Sequence, residues 1–199
     1  MQLSLPSGTL LALHRDHQPR GDFITLQHRP SEPSDELMVQ KGEHTDFGSI
    51  TMLFNWLGGL QIRDQSSEDG STGDWVYVKP IPGSIICNLA DSLVKLTAGV
   101  LKSNIHRVAP APGQQAGLPR YSLVYFSHPN DSVPLKPVKG GLVDAEQAIE
   151  ESEKPITAAD WTMRRSLGDL RGVFTYKGGI ELRDNHDAVA VLTRPSVKA

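Results

Sequence analysis

Between Phe23 and Phe126 the chain consists of β-prone segments four to seven residues long, separated by clusters of Pro, Gly, Asn and Asp. The segments are Phe23–His28, Ser49–Phe54, Leu60–Arg63, Trp75–Val78, Ser84–Leu89, Ile105–Val108 and Arg120–Phe126. Many short strands, with turn residues every 8 to 15 positions, predict a mainly β fold, a sandwich or jelly roll. Pro80-Ile81-Pro82-Gly83 predicts a tight turn, and Asp91 a cap for a short helix through Leu96. Thr9–Leu13 looks helical and Ser31–Asp35 and Asp64–Asp74 read as loops. The chain divides into an N-terminal stretch over 1–22, a β core over 23–137 and a C-terminal tail over 138–199. The tail opens on Lys139-Gly140-Gly141, read as a hinge. It continues with a helix-prone acidic run, Ala145–Ser152, and a capping box, Thr157-Ala158-Ala159-Asp160, opening a helix to about Leu167.

The 199 residues suffice for one ordinary core and a tail. A net charge of −3 argues against a nucleic-acid partner, which would call for a basic excess. No apolar run approaches the roughly 20 residues of a bilayer-spanning helix, so no membrane partner is expected. The start has no basic head, and Pro6 and Gly8 break its apolar stretch, unlike a signal peptide. With a single cysteine, Cys87, this favours a cytoplasmic location. Cys87 lies in an apolar run and reads as a small buried hydrophobe, and Trp56, Trp75 and Trp161 read as core.

The informative stretch for chemistry is Gly42-Glu43-His44-Thr45-Asp46-Phe47-Gly48. On a strand, residues i and i+2 share a face, so His44 and Asp46 project together as two ligands for a divalent first-row metal. His14-Arg15-Asp16 has the same spacing but follows the helical-looking Thr9–Leu13, where i and i+2 diverge; it reads as a decoy. A metal that also binds substrates needs a third ligand on the same face, as in the two-His-one-carboxylate triad of non-haem Fe(II). His106, 62 residues after His44 in a β-prone tetrad, is the candidate, against the plainer reading of a satisfied core histidine. Arg120 and Ser122 form another i, i+2 pair, a guanidinium fork and a hydroxyl suited to a carboxylate. The alternative for Arg120 is an interstrand ion pair.

Six blocks, taken in order, resemble the Fe(II)/2-oxoglutarate-dependent dioxygenases of the isopenicillin-N-synthase-like superfamily, most of all fungal members of secondary metabolism. They are His44-Thr45-Asp46, Gly58-Gly59-Leu60-Gln61-Ile62, Trp75-Val76-Tyr77-Val78-Lys79-Pro80-Ile81-Pro82-Gly83, Asn88-Leu89-Ala90-Asp91, Ser103-Asn104-Ile105-His106-Arg107-Val108 and Arg120-Tyr121-Ser122-Leu123. The resemblance runs from about Leu5 to Pro137. It implies a double-stranded β-helix (jelly roll) with a helical C-terminal tail. It implies His44, Asp46 and His106 as iron ligands, and Arg120 and Ser122 as the site for the far carboxylate of 2-oxoglutarate. It implies O2 as the other co-substrate, a small organic molecule as substrate, and ascorbate as a supporting reductant. Gly59, Pro82 and Gly83 are then turn residues, and Asn88 and Asp91 structural.

The chain departs from the family pattern in three places. Members usually extend further at the N-terminus, so the sequence reads as lacking that region. A Tyr usually precedes a Pro before the iron motif, where this chain has His28-Arg29-Pro30. Asn88-Leu89-Ala90-Asp91 has Ala where Gly is usual. These departures keep two other readings open: an inactive homologue serving as a binding protein, and an iron oxidase that does not use 2-oxoglutarate.

Overall fold

The structure is a computed structural model that describes residues 3–30, 41–64, 73–146 and 155–170. The loop expected at Ser31–Asp35, most of the one at Asp64–Asp74, most of the acidic run Ala145–Ser152 and residues 171–199 of the tail lie outside these. Eight strands form two antiparallel sheets: β1 Phe23–Arg29, β2 Lys41–His44, β3 Ile50–Asn55, β4 Leu60–Arg63, β5 Trp75–Tyr77, β6 Ile86–Leu89, β7 His106–Val108 and β8 Arg120–Ser127. One sheet has the order β1-β8-β3-β6, the other β2-β7-β4-β5. First pairs with last, second with seventh, third with sixth and fourth with fifth. That is a long antiparallel hairpin rolled onto itself, the jelly roll expected from the sequence.

Alternation along the strands sorts side chains between the two faces of the larger sheet. Arg120 and Ser122 on β8 and Thr51 on β3 are buried and face inward. Their neighbours face out: Ile24 and Leu26 on β1, Phe54 on β3 and Tyr121 on β8 are all exposed. Cys87 pairs in register with Met52 and shares this outer face, so it is exposed, not buried as its apolar neighbours suggested. Trp56, expected in the core, is 82% exposed. The guanidinium groups of Arg63 and Arg107 each lie 4.2 Å from the centre of the Trp75 ring. Only Trp161 of the three is buried.

The buried apolar cluster lies beside the sheets. Leu93 and Leu96 of helix α1 (Asp91–Leu96) meet Leu135, Ala158 and Trp161. The last two belong to helix α3 (Ala158–Leu170), which therefore packs into the core. Its first turn is closed by Thr157: the Asp160 amide donates to Thr157 Oγ1 at 3.1 Å, and that hydroxyl donates to Asp160 Oδ2 at 2.9 Å. Helix α2 (Gly141–Glu146) begins at the supposed hinge. Gly140–Gly141 instead forms a packed turn, where the Leu142 amide donates to the Leu3 carbonyl at 3.0 Å. Asp91 does not cap α1: the N-cap is Ala90, which has no side chain to cap with. The Asp91 carboxylate is directed at Thr45 and Arg165 instead.

Gly48 holds the loop after β2 against the end of β8. A Cβ there would lie 2.4 Å from the Ser127 carbonyl oxygen, which already accepts from the Ser49 amide at 2.7 Å. Neither backbone can yield without breaking that bond. Gly48→Ala is therefore expected to destabilise the fold by about 2 kcal/mol, read as a lower denaturant midpoint at unchanged m-value.

Candidate metal centre

β2 and β7 pair so that His44 lies opposite His106. Directly opposed residues of an antiparallel pair point to the same face, and the two rings are 4.3 Å apart between centroids. The strand expected to carry both His44 and Asp46 stops at His44, after an irregularity in the register between Lys41 and His44. Asp46 sits in the following turn because that backbone is recruited by α1. The Asp91 amide donates to the Asp46 carbonyl and the Ser92 amide to the Gly48 carbonyl, each at 2.9 Å. The turn still brings the carboxylate to the histidines. Asp46 Oδ1 is 3.7 Å from His44 Nε2 and 3.6 Å from His106 Nε2.

One ligand atom from each of His44, Asp46 and His106 lies within 4.8 Å of the other two. The Asp46–imidazole gaps are long for hydrogen bonds but shorter than two metal–ligand bonds of about 2.1 Å each. The tautomers suit an ion. His44 Nδ1 bonds the Gly42 carbonyl at 2.8 Å and His106 Nδ1 the Asn104 carbonyl at 3.1 Å. A carbonyl only accepts, so both Nδ1 atoms carry the proton and both Nε2 atoms offer a lone pair. Burial, followed by the neighbouring His106 and Lys41, pushes His44 down to about 4, so it is neutral near pH 7. Burial pushes the Asp46 carboxyl up. His106, the Asn88 amide, the Thr51 hydroxyl and His44 outweigh it, and Asp46 stays below its ordinary value. The donor set, two imidazoles whose Nδ1 atoms are turned to carbonyls and one carboxylate, fits a divalent first-row ion.

Two supporting residues were not read as such from the sequence. Asn88 Nδ2 donates to Asp46 Oδ2 at 2.8 Å and fixes the carboxylate's orientation. Asp91 Oδ2 accepts from Thr45 Oγ1 at 2.8 Å and pairs with Arg165 of α3 at 3.2 Å, tying the turn to two helices. The Asn-x-x-Asp spacing was visible, but nothing local told what either side chain would face. The decoy at His14 is a structural residue: its ring bonds the Leu10 carbonyl at 2.8 Å and Ser49 Oγ at 2.7 Å.

Arg120 and Ser122 share the inner face of β8, as their spacing predicted, and both are buried. Among the described residues neither takes part in an ion pair, so the interstrand-pair alternative for Arg120 does not hold there. Arg120 Nε donates to the Gly58 carbonyl at 3.0 Å. Gly59 is more than a turn residue. At φ +113° it adopts a conformation open to glycine, and a Cβ would lie 3.4 Å from Arg120 Nε and 2.7 Å from the Ala109 carbonyl oxygen. Its bare backbone makes room for the guanidinium.

Thr51, bonded to Asp46, and Asn55, opposite Ser122, mark the two ends of β3's inner face. Four residue-to-residue steps along the strand separate them by about 13 Å. Leu53 and Val124, a cross-strand pair, lie between. The inner wall thus runs from the His44–Asp46–His106 cluster through an apolar stretch to a cation.

A jelly roll that gathers two imidazoles and a carboxylate in this way offers the donor set of a mononuclear non-haem metal site. A family model for the 2OG-Fe(II) oxygenase superfamily matches residues 21–129. The chain belongs to that superfamily. It is 37% identical to a 2-oxoglutarate-dependent dioxygenase of Aspergillus fumigatus, over 96% of this chain and 51% of that protein. It is 33% identical to the 2-oxoglutarate-dependent dioxygenase iboH of Amanita muscaria, over 84% of this chain and 76% of that protein. Among solved structures, a 2OG-Fe(II) oxygenase family protein from Caulobacter crescentus superimposes with a TM-score of 0.65 at 28% identity, covering 83% of this chain and 49% of that one. A full-length Neurospora crassa protein in complex with alpha-KG and thymine gives 0.63 at 26% identity, covering 84% and 48%. The chain spans about half the length of the Aspergillus protein and of these two structures.

Proposed function

We propose that the chain carries the catalytic jelly roll of an Fe(II)/2-oxoglutarate-dependent dioxygenase that oxidises a small organic molecule, in the manner of secondary metabolism. The observation that carries this is the graded inner wall. A ligand suited to it chelates a metal at one end, has a short methylene chain, and ends in a carboxylate. 2-Oxoglutarate has that layout.

In this reading His44, Asp46 and His106 hold the Fe(II), and Arg120 and Ser122 take the far carboxylate. Bound there, the iron and its co-substrate supply the oxidising power, with O2 consumed and succinate and CO2 released. The protein's own residues position and insulate. The Gly42 and Asn104 carbonyls fix both imidazole tautomers, Asn88 fixes the carboxylate, and Gly58 aims the guanidinium. Leu53 and Val124 keep the span between the two ends apolar, which strengthens the charge-assisted bonds at Arg120. No side chain has to move a proton.

The test needs no substrate. Protein, Fe(II), ascorbate and 2-oxoglutarate under air should yield succinate through uncoupled turnover. Arg120→Gln should raise KM for 2-oxoglutarate by about 10–100-fold, the worth of a buried charge-assisted contact, with Fe(II) affinity little changed. Finding neither succinate nor Fe(II) binding would overturn the assignment.

A further inference from the structure

The far end of the inner wall holds a second guanidinium. Arg29, the last residue of β1, lies opposite Arg120 in the β1–β8 register, just as Gln27 lies opposite Ser122. Opposed residues of an antiparallel pair share a face, so Arg29 lies on the same side of the sheet as Arg120 and Ser122. Among the described residues, its Nη1 is buried and has no hydrogen-bond partner. Among the described residues no acidic side chain pairs with either arginine. Burial, then the charge of Arg29, pushes the Arg120 guanidinium below its ordinary value. Two like charges held together, one with an unmet buried donor, leave an electrostatic cost that an entering anion relieves.

We infer that Arg29 and Arg120 act as a two-guanidinium clamp on one carboxylate, with Arg29 a binding residue of this chain's co-substrate site. The inference rests on the 2-oxoglutarate reading for the identity of the ligand, but not for its chemistry. A carboxylate offers about four lone-pair sites, enough for both forks and the Ser122 hydroxyl. The clamp makes the site more cationic than one guanidinium would, so affinity should depend more steeply on ionic strength.

The experiment is equilibrium binding by calorimetry on the full chain without air, with Mn(II) in place of Fe(II) so that no turnover occurs. Arg29→Gln should weaken 2-oxoglutarate about tenfold and flatten the salt dependence, whereas Arg29→Lys should stay within about threefold. Arg29→Met serves should Arg29→Gln fail to fold. In a second arm, glutarate without metal should raise the melting temperature of the wild type and not of Arg29→Gln. Equal 2-oxoglutarate affinity in wild type and Arg29→Gln overturns the clamp and leaves the co-substrate reading standing. Stabilisation by glutarate that needs Arg29, with no binding of 2-oxoglutarate plus Mn(II), supports the clamp and overturns that reading. Absence of both responses overturns the clamp.

Discussion

Asp46→Ala is expected to abolish Fe(II) retention and succinate formation together, the largest functional effect of any single change in the chain. Asp46 is the one anionic group in the proposed ligand set, and its Oδ1 lies 3.7 and 3.6 Å from the two Nε2 atoms. Without it the site is a pair of imidazoles with no anionic partner, which bind a divalent ion far more weakly. The supporting bond gives a graded control. Asn88→Ala leaves all three ligands in place and frees only Oδ2, so metal affinity should fall by about 10–100-fold, the usual cost of losing an orienting partner. Anaerobic Fe(II) titration of the three proteins, each shown by circular dichroism to be folded, checks the order. If Asp46→Ala keeps wild-type metal affinity, the centre is not where these residues place it.

The sequence singled out His44 and Asp46 because their spacing is local. His44 and Asp46 are two residues apart, and the alternation of Leu60–Arg63 and the β-prone apolar run that ends Arg120–Phe126 place both within a residue of their observed strands. What it could not show depended on partners distant in sequence. The turn at Asp46 breaks the expected strand because the amides of Asp91 and Ser92, more than 40 residues later, claim its carbonyls. Asp91 has a good capping residue's identity, but it falls one residue inside the helix, after the Ala90 N-cap, and its carboxylate meets Thr45 and Arg165. Cys87 and Trp56 were placed in the core on hydrophobicity alone. The pleat sets the side for Cys87, and in this sheet the outer face carries exposed apolar residues such as Leu26 and Phe54. Arg29 was visible as a departure from the family pattern. Its place opposite Arg120 follows only from the β1–β8 register.

Trp161→Ala should cost about 3–5 kcal/mol, a large share of the 5–15 kcal/mol that typically holds a domain together. The indole is 6% exposed and packs with Leu93, Leu96 and Leu135, while the Lys95 ammonium lies 4.5 Å above its ring. Its Nε1 donates to the Phe47 carbonyl at 2.9 Å, and that carbonyl belongs to the residue after Asp46. Trp161→Phe separates packing from this hydrogen bond. It keeps most of the buried ring and removes only the donor. The Phe47 oxygen is not stranded, because Ser92 Oγ also donates to it at 2.7 Å. The phenylalanine variant should therefore lose only about 1 kcal/mol, with metal affinity within a few-fold of wild type. Urea unfolding of both variants, read with Fe(II) titration, tests the point. A loss below about 1 kcal/mol for Trp161→Ala would mean that α3 merely lies against the jelly roll. A loss near 4 kcal/mol would make α3 part of the wall that keeps the Asp46 turn in place.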